Sequence, residues 1–275
     1  MPPDHEALTV LLGKMPGVLV AFSGGVDSSL LLAAAHDALG DRVLAVTATS
    51  PIQASHELGL ARTVAEMLGV RWVTVSTDEL SLPAFRLNPA DRCYHCKKLR
   101  FEALLDLATK EGSATVIEGS NMDDLGDYRP GFAAARELGV RSPFIELGFG
   151  KTTIRRLARE RGLPNWDQPA AACLASRIPY GEEITRERLA RIDCAEHALR
   201  EMGFRQIRVR DHGTVARIEA PRDDFARFLE TEMSDAVVRA CHAAGYSFVS
   251  LDLQGYRTGS LNETITRRPG SQLES

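Results

Sequence analysis

The 275-residue chain carries no excess of positive charge: 33 Lys and Arg stand against 37 Asp and Glu, for a net charge of -4. A protein whose main partner is nucleic acid shows a broad basic excess. Nucleic acid is therefore not expected here, although a short basic patch stays open. No uncharged apolar run reaches the roughly 18 residues that a membrane span needs. Residues 1–17 lack a basic n-region and a long apolar h-region, so no signal peptide is expected. Internal repeats and low-complexity tracts are also missing. These absences point to the cytoplasm and to no membrane partner. Cysteine is scarce, with Cys93, Cys96, Cys173, Cys194 and Cys241. A reducing compartment disfavours a disulfide framework, which leaves free, catalytic or metal-binding thiols.

The length suggests about two domains. The first half alternates short apolar runs with helical patterns. Strands are expected at Val18 to Phe22, Arg42 to Thr47, Arg71 to Val75 and Thr115 to Glu118. Helices are expected at Ser28 to Leu39, Ser55 to Leu68, Tyr94 to Lys110 and Lys151 to Arg161. Such alternation implies an α/β fold with a doubly wound parallel sheet, whose ligands bind beyond the carboxyl ends of the strands. The second half reads as a smaller α+β domain. It has a helix from Thr185 to Met202, then strands at Gln206 to Arg210 and Val215 to Glu219 joined at Asp211-His212-Gly213. A helix from Asp223 to Ala244, broken near Thr231, and a strand from Phe248 to Leu253 follow. The boundary is expected near Ile178-Pro179-Tyr180-Gly181, giving a nucleotide domain over 1–178. A substrate-binding or oligomerisation domain over 179–266 and a frayed tail over 267–275 complete the chain.

Ser23-Gly24-Gly25-Val26-Asp27-Ser28-Ser29 lies between an expected strand and helix. Two glycines let successive N–H groups curl inward, and the helix adds its positive N-terminal dipole. Ser23, Ser28 and Ser29 add hydroxyls. A pyrophosphate-sized anion fits such a loop. Gly-Lys-Ser/Thr is absent, so this is no Walker A loop. Asp27 beside phosphate makes sense if it holds Mg²⁺; the plain alternative is a helix-capping turn. The run resembles the Ser-Gly-Gly-x-Asp-Ser motif of the PP-loop ATP-pyrophosphatases. Gly119-Ser120-Asn121-Met122-Asp123-Asp124 resembles their second segment, near nucleotide and metal, through Gly119, Asn121 and Asp124. The resemblance implies that adenosine packs at Ala21, Phe22, Thr47 and Ala48.

Pro164-Asn165-Trp166-Asp167 leads through Ala170-Ala171-Ala172-Cys173-Leu174-Ala175-Ser176-Arg177 to Ile178-Pro179-Tyr180-Gly181. With Cys93-Tyr94-His95-Cys96, Arg208-Val209-Arg210-Asp211-His212-Gly213, Arg217-Ile218-Glu219 and Gly255-Tyr256-Arg257, this resembles the LarE family across nearly the whole chain. LarE proteins are PP-loop sulfur transferases of nickel-pincer nucleotide synthesis. The resemblance implies ATP and Mg²⁺ as cofactors and a pyridinium biscarboxylate mononucleotide as substrate. Its carboxylate is adenylated with pyrophosphate release, a cysteine thiolate displaces AMP, and elimination leaves dehydroalanine on the protein. Cys173 matches the consumed cysteine, and Arg177 is expected to lower its pKa.

Cys93, Cys96 and Cys173 would instead supply three ligands to a [4Fe–4S] cluster whose open iron delivers sulfide. Both sulfur sources stay open. Arg208 and Arg210 share a strand face by period two, and Arg217 lies on the next strand. With Ser176 they are candidates for the substrate's phosphate and carboxylates, against the alternative of a solvated sheet face. Glu219 and Glu263 are candidate bases for the elimination. Arg186 to Arg191 reads as a solvated helix face, and Cys194 and Cys241 as packing residues. A homo-oligomer, a hexamer among the options, follows from the resemblance. The rival readings are a PP-loop tRNA thiolase or amidotransferase and a non-catalytic adenine-nucleotide-binding regulator.

Overall fold

Val18–Ala21 (β1), Val43–Thr49 (β2), Trp72–Ser76 (β3) and Thr115–Ile117 (β4) are apolar runs with little alternation, as suits strands covered on both faces. The computed structural model describes residues 3–112, 115–126, 131–169, 172–257 and 261. In it the four strands form one parallel sheet in the order β3-β2-β1-β4. The helices of this part are α1 (Pro3–Gly13), α2 (Val26–Leu39), α3 (Ser55–Leu68), α5 (Arg92–Lys110), α6 (Gly131–Glu137), α7 (Pro143–Glu146) and α8 (Lys151–Glu160). Leu8, Leu12, Leu30, Leu31, Val64 and Ile154 fill one face of the sheet, and Phe101, Leu104 and Ala135 the other. The sheet is therefore doubly wound, as expected. Helix α1, which no sequence pattern announced, closes the first face with Leu8 and Leu12, both fully buried.

Strand order reverses at β1: β2 and β3 lie to one side and β4 to the other. Such a switch point opens a crevice at the carboxyl ends of its two strands. The loops after β1 and β4 flank it. A surface cavity lined by Pro16, Arg42, Arg71 and Glu111 lies at the opposite, amino-terminal strand ends and includes none of the expected site residues.

Contacts divide the chain into Met1–Glu79 with Asp91–Ala171, and Leu80–Ala90 with Ala172–Ser275. The division falls before Ala172 rather than near Ile178. The segment 80–90, with α4 (Pro83–Arg86), goes with the second unit because Asn88 Nδ2 donates to Pro179 O at 2.7 Å. Gly181 and Ile184 return backbone bonds to Asn88 and Arg86.

The second unit holds α9 (Arg186–Glu201), α10 (Phe225–Leu229), α11 (Thr231–Ala243) and a sheet in the order β5-β6-β7. Strands β5 (Arg208–His212) and β6 (Val215–Glu219) are antiparallel, and β7 (Phe248–Leu251) runs parallel to β6. The expected first strand is displaced by two residues. Gly213 alone takes a positive φ, 68°, in the two-residue loop Gly213-Thr214, so the hairpin turns there and His212 stays paired to Val215. Cys241 is a buried core residue, whereas Cys194 is exposed.

Helix α9 does not present a purely solvated face. Arg188 Nη2 and Arg191 Nη2 reach the fully buried carboxylate of Asp211 at 2.7 and 2.5 Å, and Tyr246 donates its hydroxyl at 3.1 Å. Burial pushes the Asp211 carboxyl up, but the bonds from Arg191 and Arg188 outweigh it and hold it below the ordinary range. This contribution to stability is complete above the unfolded value of about 3.9 and fades as pH falls through the folded one. Asp211→Ala leaves two arginines facing an empty position and should cost about 3–5 kcal/mol in urea unfolding at pH 7. The gap between variant and wild type should close in strong acid.

Candidate active site

The loop after β1 is held from several sides. Gly24 has φ +78, and a Cβ there would lie 2.8 Å from the Ala61 backbone nitrogen of α3. Gly119, after β4, is equally tight: its Cβ would meet Ser28 N at 3.0 Å and Asp27 C at 3.1 Å. Glycine at both places lets the two loops of the switch point close on the start of α2. The three serines differ. Ser23 is exposed and accepts Gly25 N–H at 3.3 Å. Ser28 Oγ donates to Gly25 O and receives Ser23 N–H. Ser29 is fully buried and accepts from Asn165, so its expected role as an open phosphate donor is corrected: it braces the loop from behind. Val26 is buried at the first turn of α2.

Asp27 meets the Nζ of Lys151, the first residue of α8, and lies 3.5 Å from Asn121 Nδ2. Burial raises the Asp27 carboxyl above its ordinary range; Lys151 works against that, and the charge of Asp124 adds to it. Asp123 accepts the Lys151 backbone N–H at 2.5 Å, and Asp124 accepts that of Asn121 at 3.0 Å. The second segment thus caps α8 and arranges itself around Asp27. An oxygen-rich cluster of this kind suits Mg²⁺ shared with phosphates. At the ends of β1 and β2, Ala21 is half-buried and Phe22 buried. Thr47 is also buried, donating to Phe22 O at 2.7 Å and accepting from Trp72 at 2.9 Å.

Cys93 and Cys96 stand in the first turn of α5. Cys96 Sγ donates toward Glu79 Oε1 at 3.9 Å, the part a protonated thiol plays. Glu79 is fully buried and also accepts from Arg100 at 2.6 Å and Thr77 at 3.0 Å. Among the described residues no three of His, Cys, Asp and Glu gather as a metal-holding group.

In the second unit Cys173 precedes the short 3-10 turn Leu174–Arg177 and is half-buried. Arg177 donates to the carbonyls of Ala172 and Cys173 at 2.6 and 3.1 Å and forks onto buried Glu196 at 2.8 and 3.0 Å. These bonds hold the backbone of the cysteine segment. They give Arg177 a part in positioning that backbone. Arg210 joins Ser176 O at 2.6 Å to Glu219 at 2.8 Å. Arg217 bridges Glu219 and Asp252. Glu219, fully buried between two arginines, orients them, which is a poor situation for the expected base. Glu263 lies outside the described residues.

Arg208 differs from its neighbours. It is buried against the Tyr256 ring at 4.6 Å and makes no salt bridge among the described residues. Burial weakens its hold on the proton, and the charges of Arg177 and Arg210 add to this while those of Tyr256 and Glu219 oppose it.

A family model described as asparagine synthase matches residues 15–88, the stretch that includes β1, the phosphate loop and β3. Over 261 residues the chain is 41% identical to a pyridinium-3,5-bisthiocarboxylic acid mononucleotide synthase of Lactiplantibacillus plantarum, covering 94% of each protein. The chain belongs to the LarE family. It is an ATP-using sulfur transferase of the PP-loop type. An uncharacterized Synechocystis protein is 43% identical over 95% of this chain and 98% of its own length. Argininosuccinate synthases of Brucella are 25% identical over only 54% of this chain.

Against this LarE frame, sequence reasoning passed over Lys151, Asn165 and Glu196. Glu196 was findable, because it interrupts the buried stripe Ile192, Ala195 and Leu199 of α9 with a charge. Lys151 and Asn165 carried no local signal, since their partners lie more than a hundred residues away.

Lys151→Gln removes the cation that works against burial at Asp27. The carboxyl should then titrate higher still, read by carboxyl-carbon NMR. An unmoved titration would show that Lys151 does not set this charge.

Proposed function

We propose that this chain adenylates a carboxylate of pyridinium-3,5-biscarboxylic acid mononucleotide and converts it to a thiocarboxylate with sulfur from Cys173, a step of nickel-pincer nucleotide synthesis. The observation that carries this reading is the near-full-length identity to a synthase of the bisthiocarboxylic acid mononucleotide. Local geometry supports it. The loop at Ser23 to Ser28 offers N–H groups where the leaving pyrophosphate gathers charge. Asp27, with Asp124 nearby, would hold Mg²⁺, which supplies charge neutralisation for the phosphates.

The substrate carboxylate attacks the α-phosphorus of ATP, and pyrophosphate leaves. The Cys173 thiolate then attacks the acyl carbon and AMP departs. Loss of the Cys173 α-proton breaks its Cβ–S bond, so the thiocarboxylate leaves and residue 173 becomes dehydroalanine. Arg208, which has no salt bridge among the described residues, would receive an anionic group of the substrate. A reducing cytoplasm, where the thiols stay free, and a homo-oligomer belong to the same reading.

Intact mass after anaerobic incubation with ATP, Mg²⁺ and the mononucleotide tests it. A loss of about 34 Da at residue 173, one event per chain, is expected from elimination of H₂S overall. Unchanged mass with thiolated product and bound iron would move the sulfur source to a cluster. Absence of both pyrophosphate and product would remove the sulfur-transfer reading. Cys173→Ser should still release pyrophosphate when the mononucleotide is added, yet yield no thiolated product.

A further inference from the structure

Asn165 sits in the turn after α8 and is 3% exposed. Its Nδ2 donates to Gly24 O at 2.7 Å and to Ser29 Oγ at 2.9 Å. A carbonyl oxygen can only accept, so the side facing Gly24 is the amide NH₂ group. In a trans peptide the carbonyl and the following N–H point in opposite directions. Drawing the Gly24 carbonyl back toward Asn165 therefore turns the Gly25 N–H the other way. On that side it meets the hydroxyl of exposed Ser23 at 3.3 Å. Gly24, at φ +78, lacks the side chain that would restrict rotation of this peptide plane. Unheld, the plane can also present its carbonyl to the anion.

We propose that Asn165 is a positioning residue for the ATP site, fixing the Gly24–Gly25 peptide so that N–H and not C=O faces the pyrophosphate. Ser29 completes the device. By accepting the second amide hydrogen it sets the rotation of the Asn165 side chain, and it is fully buried where no ligand competes for that bond. The inference rests on the reading of this loop as the pyrophosphate holder.

Calorimetry of wild type and Asn165→Ala with inorganic pyrophosphate, ATP and adenosine, each with Mg²⁺, separates the two ideas. No wild-type affinity for pyrophosphate or ATP would sink the reading of the loop itself. With wild-type binding present, Asn165→Ala should lose about tenfold in affinity for pyrophosphate and ATP and keep its affinity for adenosine. KM for ATP should rise more than kcat falls. Unchanged pyrophosphate affinity, or an equal loss for adenosine, would overturn the positioning role, whatever the variant's thermal stability. If the alanine variant does not fold, Asn165→Ser serves. It keeps one hydroxyl donor, and the same selective loss, at about threefold, is expected.

Discussion

Backbone N–H groups attract a pyrophosphate only where the carbonyls of the same peptides are turned away, and a glycine-rich turn does not enforce that choice by itself. The α/β unit is arranged around this demand. Ala61 of α3 closes on Gly24 from one side, leaving no room for a Cβ. Gly119 closes on Asp27 and Ser28 from the second loop. Asn165 takes the Gly24 carbonyl from the turn after α8. The parallel sheet makes these contacts possible, because its switch point at β1 and β4 brings the carboxyl-end loops together. Lys151 balances Asp27, the one acidic residue of the phosphate loop.

The second unit faces the converse problem, an abundance of arginine around a small core. Three buried carboxylates solve it. Asp211 gathers Arg188 and Arg191, Glu196 gathers Arg177 and Arg200, and Glu219 gathers Arg210 and Arg217. A buried cation without such a partner is costly, and replacing it with an apolar side chain is the cheaper solution for folding alone. Arg208 breaks the pattern. Its neighbours Arg177 and Arg210 make its charge harder still to keep. The substrate role proposed for Arg208 would give that charge a use which stability does not.

The sheet was legible because strands covered on both faces are written as short apolar runs, and these stand out against helical spacing. Strands β1 to β4 appear within two residues of their expected ends. The hairpin was less legible. In β5 the polar residues Arg208, Arg210 and Asp211 occupy buried positions, so the alternation that marks a half-buried strand is blurred and the start was placed two residues early. At the site, the phosphate loop and the cysteine segment were visible as contiguous motifs. What escaped were the supports: Asn165 behind the loop, Lys151 on Asp27, Glu196 behind Arg177. Asn165 and Lys151 act through partners more than a hundred residues away, and hydrogen-bond pairing across such gaps leaves no periodic trace; Glu196 alone showed one, as a charge within the buried stripe of α9.

The sacrificial route proposed for Cys173 would place an unusual condition on the surroundings of that side chain, and the bonds of the segment are compatible with it. Arg177 grips the carbonyls of Ala172 and Cys173, and Ser176 N–H returns to the Cys173 carbonyl. All of these bonds end on backbone atoms that the reaction leaves in place. Cys173 itself is only half-buried. Loss of its sulfur leaves these backbone bonds in place. Had the segment been fixed through the thiol, by burial or by a sulfur-centred bond, the chemistry would have dismantled its own support midway. On the sacrificial route the ordinary alternatives for a cysteine, core packing or metal ligation, are thus the ones that the geometry has reason to avoid.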